Sequence, residues 1–287
     1  MLEINRSISD TLKLCGPGIV SCEEHVEIVA KTLLSIITKK HPCQVEDDDA
    51  SEDDEVLQES SEDDWYLVES AMDAVATLAA AIGPQFEPVW KQLEKPLLMY
   101  ASSSEHGQRS AAIGTAADVI RGMANAVTPH TSVLLKVLLH RMSDEDPLTK
   151  SNAAFAIGLL VEFSDDHRNI KKAYNTIFTK LEPLLQNRES RQLDNAAGCV
   201  SRMILKHQDS VPIVEVLPAL VGLLPLKEDF DENEPVYRMI VKLCKFPQAV
   251  CLVQARLMMV HRLVWRAHNP WPHAAPPPCH RPCHGSS

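Results

Sequence analysis

Asn152-Ala153-Ala154-Phe155-Ala156-Ile157-Gly158 is the stretch that decides the fold. It returns upstream as Ser110-Ala111-Ala112-Ile113-Gly114 and downstream as Asn195-Ala196-Ala197-Gly198, with a weaker version at Ser70-Ala71-Met72-Asp73-Ala74. From Ser70 to Ser110, from Ala111 to Ala153 and from Ala153 to Ala196 the steps are 40, 42 and 43 residues. A steady period of this length, built from apolar helical segments, predicts an all-α chain in which helix pairs stack into an α-α superhelix. One pair cannot bury its apolar face alone and must pack on copies of itself. The alanines and glycines at the centre of the phrase let a neighbouring helix approach closely. Function in such a fold belongs to a long surface rather than to a pocket.

The rest of the chain reads outward from that phrase. Residues 2–15 predict a first helix, and Gly16-Pro17-Gly18 a turn. Ser21 with Glu24 makes a capping box before a helix whose stripe is Val26, Val29, Ala30, Leu33 and Ile37. Trp65 to Ile82 and Phe86 to Tyr100 make the next pair, separated by Gly83-Pro84. Glu105 to Val127 pairs with Pro129 to Met142, with Thr128 as cap and Pro129 at the first helical position, where its missing N–H costs nothing. Asp146-Pro147 repeats the device before Leu148 to Phe163. The partner helix starts at Ile170 and carries Ala173, Ile177, Leu181 and Leu184 on one stripe. Glu189 to His207 pairs with Pro212 to Leu224, and Glu234-Pro235 opens a last helix over Val236 to Lys245. The expectation is five to six pairs. They comprise a pair over 1–42, an acidic insertion over 43–64, an array over 65–245, and a divergent tail over 246–287.

Composition agrees. Of 287 residues 45% are apolar and only 5% aromatic, which suits helix-on-helix packing better than a β-sandwich. The net charge of −11 is one local device. Glu46, Asp47, Asp48, Asp49, Glu52, Asp53, Asp54, Glu55, Glu59, Glu62, Asp63 and Asp64 are twelve acids in a segment with no base, and the remainder carries about +1. That run has no apolar period and predicts disorder, because like charges repel and there is little to bury. It argues against a general nucleic-acid surface, which needs Lys and Arg. The eight cysteines show no structural-zinc spacing before residue 279 and read as reduced core thiols of an intracellular protein, Cys199 and Cys244 among them. Met1-Leu2-Glu3-Ile4 places charge where a secretory core would be apolar. No run reaches the roughly 18 apolar residues of a membrane span. Val250 to Trp265 comes nearest and is broken by Arg256 and Arg262. After Glu234 there is no acid, and the Pro/His/Cys-rich end cannot build a packed helix pair.

Candidate chemistry is sparse. No GxxxxGK[ST] loop, GxSxG turn or HExxH helix appears, so no enzyme is expected and no cofactor is implied. Cys279, His280, Cys283 and His284 are zinc-type ligands, but their spacing matches no standard finger, and no metal site is assigned. His106, His130, His140 and His167 fall near helix ends and are read as surface residues. Lys150, Arg191, Asp146 and Asp194 are read first as solvated charge and second as polar links between repeats. Ser51, Ser60 and Ser61 each have an acid three residues on and are candidate phosphorylation sites.

Pairs of this length are HEAT-like. An acidic insertion after the first pair, Trp65-Tyr66-Leu67-Val68 just behind it, and Asp229-Phe230-Asp231-Glu232-Asn233-Glu234 before the last helix resemble the importin-β family of transport receptors, of the importin-4 type. The likeness covers residues 1–245 and lies in the whole pattern rather than in one motif. It implies a HEAT-repeat solenoid that carries basic cargo, such as histones and ribosomal proteins, on its concave surface. It further implies shuttling between cytoplasm and nucleus, contact with nuclear pore proteins, and release by Ran-GTP. Family members are several times longer, so the resemblance implies an internal piece without the main Ran-binding repeats. The acidic residues 46–64 then read as a cargo contact, since a flexible polyanion concentrates Lys/Arg-rich partners. A solvated linker is the simpler reading of the same run. Second helices of the pairs should line the concave side, with Glu87, Glu94 and Glu182 as contacts and Trp90, by its spacing, as a packing residue. The alternative is a HEAT scaffold of another assembly, of the phosphatase-regulatory or tubulin-binding kind.

Overall fold

A computed structural model of the chain describes residues 2–16, 18, 23–44, 54–186 and 189–243. Every regular element among them is helical. The α-helices are α1 (Leu2–Cys15), α2 (Glu23–Ile37), α3 (Asp54–Ile82), α4 (Glu87–Tyr100), α5 (His106–Met123) and α6 (Thr131–Arg141). They continue as α7 (Pro147–Phe163), α8 (His167–Gln186), α9 (Ser190–His207), α10 (Ile213–Leu223) and α11 (Asn233–Leu243).

Local chemistry sets two of the ends plainly. Asp146 caps α7, its Oδ2 accepting from the Thr149 amide at 2.6 Å and from the Thr149 hydroxyl at 2.7 Å, with Pro147 in the first turn. Gly83 ends α3 at φ +62°, a left-handed turn that glycine adopts without strain. Thr128 is not the expected cap. A 3₁₀ segment, Ala124–His130, absorbs both Thr128 and Pro129, and His130 takes the position before α6. Thr128 Oγ1 instead accepts from the Asp165 amide at 3.1 Å and so ties this turn to the next repeat.

Helix α3 begins at Asp54 rather than Trp65. The part of the acidic run from Asp54 onward, expected to be disordered, is therefore helical. Acids near a helix N-terminus complement its dipole, so this composition does not bar a helix there. Prolines also occur beyond helix starts. Pro96, Pro183 and Pro218 lie inside α4, α8 and α10. The stretch Asp64–Tyr100 is apolar enough to cross a membrane by length and composition, but it breaks at Gly83 and half of it is buried inside the stack.

The odd-numbered helices form one layer. Successive members α1, α3, α5, α7, α9 and α11 pack directly on each other. The even-numbered helices touch one another far less. Through α9, each odd helix after α1 also packs more on the even helix before it than on the one after it. Spatial pairing thus runs one helix out of step with the pairs read along the sequence.

The recurring phrase lies in the odd layer, and small residues of that layer set the contacts. A Cβ on Gly122 would stand 2.7 Å from the backbone carbonyl of Ala79, and one on Gly158 would stand 3.0 Å from the Cys199 Cα. Polar side chains bridge the same helices. Asn5 Nδ2 donates to Ser70 Oγ at 2.9 Å, Asn152 Nδ2 to the Ser110 carbonyl at 3.1 Å, and Asn195 Nδ2 to Ser151 Oγ at 2.9 Å. Closer packing on one side bends a stack toward that side, so the odd layer is the inner face. We expect Gly122→Ala to cost about 1–3 kcal/mol through overpacking. Gly114, whose added Cβ would meet only the movable Asn152 amide at 3.4 Å, should tolerate alanine. Urea unfolding of the two variants checks this, and equal midpoints would refute it.

Asp194 departs from the surface-charge expectation. It is 2% exposed, and its Oδ2 accepts from the amides of Lys227, Glu228 and Asp229 at 3.0, 2.8 and 3.0 Å. Here the second reading holds: the carboxylate pins the loop before α11. Asp146 is a cap, while Arg191 is exposed and Lys150 half-buried. Cys199 is fully buried, and burial pushes its thiol up to about 12. Cys244 and the whole of 244–287, including Cys279, His280, Cys283 and His284, lie outside the described residues.

Candidate inner-face binding surface

The exposed positions of the odd layer divide into two halves. On α3, Glu69 and Asp73 stand one turn apart, and on the adjoining α5, Asp118 faces the same way as Asp73. Burial between neighbouring helices pushes the Glu69 carboxyl above the usual range, and the Asp73 charge adds to it. Burial raises Asp73 as well, against the pull of Lys13. Burial raises Asp118 too; Arg121 opposes this, while Asp73 and Asp231 reinforce it. These side chains keep access to solvent, yet the flanking helices withhold part of their hydration. Three carboxylates thus share a concave surface with too little positive charge to balance them.

The other half neutralises itself. The Arg202 side chain is 6% exposed and donates from Nη2 to Glu232 Oε1 at 3.0 Å and from Nε to Glu162 Oε2 at 2.9 Å. Arg238 reaches Glu162 and Glu234, each at 3.5 Å, and Arg121 lies 3.9 Å from Asp231. Arg121 and Arg202 both stand over the Phe155 ring, 5.0 and 5.6 Å from its centre. A cationic ligand would find Phe155 already occupied on this half and the carboxylates open on the other.

Sequence reasoning missed Asp73 and Asp118. The signal available was the single acid of α5, seven residues after Ala111, and the acid inside the weak phrase in α3. Among the residues singled out, Glu46, Asp47, Asp48, Asp49, Ser51, Glu52 and Asp53 lie outside the described residues. Asp54, Glu55, Glu59, Ser60, Ser61, Glu62 and Asp63 fall in the first turns of α3, and Asp64 follows them, half-buried.

Glu87, Glu94 and Glu182 do not line the inner face. They sit in the even layer, because the pairing is out of step. Glu182 is exposed there, while Trp90 is fully buried, as its spacing required. Glu94 and Glu87 hold His130, whose Nδ1 and Nε2 lie 3.1 and 3.3 Å from their carboxylates. His130 is therefore buried, not a surface residue, whereas His106, His140 and His167 are exposed.

A second histidine cluster closes the outer side of α9. The Tyr174 hydroxyl and His207 Nδ1 are hydrogen-bonded at 2.6 Å, and His207 Nε2 and His167 Nδ1 at 3.0 Å. Burial, then the charges of Lys171, His167 and Lys206, hold His207 down at about 4. The unfolded chain takes up this proton first, near its ordinary 6.5. The stabilisation is thus complete above that value and lost as pH falls toward 4. We expect the wild-type chain to lose up to about 3 kcal/mol more than His207→Gln between pH 7 and 4. Unfolding midpoints at several pH values decide it, and parallel pH profiles would refute the assignment.

Comparisons with known proteins point to one family. The family described as "Importin subunit beta-1-like, TPR repeats" matches residues 22–203. The probable importin subunit beta-4 of Schizosaccharomyces pombe is 35% identical over 233 residues, 79% of this chain and 22% of its own length. Importin-4 of Mus musculus is 31% identical over 81% of this chain and 21% of its own. A solved structure of importin beta overlays with a TM-score of 0.49 at 15% identity, covering 75% of this chain and 30% of that one. The chain thus spans about a fifth of the length of the curated relatives. With the family matched through most of its helical stack, the chain belongs to the importin-β family, of the importin-4 type.

Proposed function

We propose that this segment serves a nuclear transport receptor by binding Lys/Arg-rich cargo on the inner face of α3 and α5. The carrying observation is the set of carboxylates at Glu69, Asp73 and Asp118, all raised by burial and only partly offset by Lys13 and Arg121. A bound ammonium or guanidinium relieves that repulsion, so the charge that disfavours the empty surface favours the occupied one. The acidic run from Glu46 to Asp64 acts on the approach, drawing basic segments toward the face with a rate that falls with salt. Histones and ribosomal proteins have the required chemistry. Passage through nuclear pores and release by Ran-GTP come with the family, on parts of a longer receptor.

The test is titration of a fluorescent Lys/Arg-rich peptide at low and moderate salt. Wild-type chain is compared with Asp73→Asn/Asp118→Asn and with a variant whose acids from Glu46 to Asp53 are changed to serine. Micromolar binding weakened about tenfold by the first pair would support the inner-face site. Because the carboxyls ionise later than usual, affinity should rise as pH increases from 4 to 7. Loss only in the second variant would move the site to the insertion. Absence of any binding would leave the segment a scaffold.

A further inference from the structure

We propose that the cleft between the α6–α7 turn and α8 binds a phosphate monoester, a ligand unlike the basic cargo of the inner face. The cleft has a volume of about 580 Å³. Lys150 from α7 and Lys180 from α8 both line it, and among the described residues neither is paired with a carboxylate. Lys180 Nζ donates instead to Ser143 Oγ at 2.5 Å, which holds the ammonium over the cleft.

The one carboxylate in the wall is already satisfied. Asp144 is 2% exposed in its side chain and receives Arg109 Nε and Nη2 at 3.0 and 2.9 Å and Arg141 Nη1 at 2.7 Å. Burial opposes the Asp144 charge, but the Arg109, Asp146-amide and Arg141 hydrogen bonds outweigh it and hold the carboxyl at about 2. Glu145 touches Arg109 at 3.3 Å, but its side chain is 89% exposed and points to water. Arg109 and Arg141 thus hold the one carboxylate of the wall, which leaves the charges of Lys150 and Lys180 to the cleft.

The remaining wall mixes apolar side chains, Met142, Pro183 and Leu184, with hydrogen-bonding groups. Thr176 and Thr179 present hydroxyls and Asn175 an amide, all three on α8 and all exposed. Two ammonium groups with neighbouring hydroxyls suit a dianion with three acceptor oxygens better than a single carboxylate. The volume exceeds what a lone phosphate fills, so it leaves room for the group that carries it, such as a phosphorylated serine or threonine of a partner.

The experiment uses the full chain and fluorescence anisotropy. The probes are a phosphoserine hexapeptide with uncharged flanks, its unphosphorylated twin, and inorganic phosphate as competitor. Lys150→Gln/Lys180→Gln is compared with Lys171→Gln/Lys172→Gln, which removes two exposed lysines of α8 outside the cleft. Saturable binding of the phosphopeptide alone, weakened at least about tenfold by the first pair and kept by the second, is expected. Circular dichroism melts of both variants should match wild type, since these lysines are not in the core. Inorganic phosphate competing at the peptide's own affinity would identify the free ion as ligand, and much weaker competition would identify a protein-borne phosphoryl group. Equal binding of the unphosphorylated twin, or equal loss in both lysine pairs, would overturn the proposal.

Discussion

Glu232→Ala is expected to destabilise the chain by about 3–5 kcal/mol, because it strands a buried guanidinium. Glu232 is fully buried, and both its oxygens receive Arg202. Burial lifts its carboxyl above the usual range, and Arg202 draws it back. The pair lies against Gly198, where any added Cβ would run into the Glu232 carboxylate. Removing the acid leaves Arg202 with Glu162 alone on its other edge. The double change Glu232→Leu/Arg202→Met should cost far less, since both charges go together. A double-mutant cycle by denaturant unfolding measures this. A single-variant loss below about 1 kcal/mol would show that Glu162 suffices.

Trp90→Ala should cost a similar amount, about 3–5 kcal/mol. Trp90 is fully buried on the stripe that carries Leu93, Leu97 and, one turn earlier, Phe86. Its indole N–H has no partner among the described residues, so the ring acts by volume. Trp90→Phe, which keeps most of that volume and removes the unpartnered donor, should therefore be mild, within about 1.5 kcal/mol. Thermal melts of both variants separate the two contributions. A phenylalanine variant as damaged as the alanine one would mean that the indole N–H has a role after all.

The helices were legible because their causes are local. Ala and Gly in the phrase, the Asp146-Pro147 cap, and the stripe Ile170, Ile177, Leu181, Leu184 each declare a buried face through spacing alone. What spacing cannot declare is the neighbour. A stripe looks the same whether it packs on the helix before or the helix after, so the pairing came out one step off and the inner face was assigned to the wrong layer. The same blindness hid His130 and Asp194. Their partners lie at Glu94, Glu87 and the 227–229 amides, 33 to 43 residues away, and no local pattern connects them. Asp54 onward was misjudged for another reason: repulsion among acids was weighed, and their affinity for a helix N-terminus was not.

The prolines inside α4, α8 and α10 have a mechanical consequence. Each removes a backbone hydrogen bond from within a helix, and all three lie in the layer whose members barely touch. The opposite layer is a continuous column locked by glycine contacts and asparagine bridges. A laminate with one inextensible sheet and one compliant sheet bends in preference to stretching. Opening or tightening of the coil is therefore expected to be taken up at the proline helices, while the distances between inner carboxylates stay nearly fixed. A segment built this way can change its curvature and still present an unchanged charge pattern on its inner face.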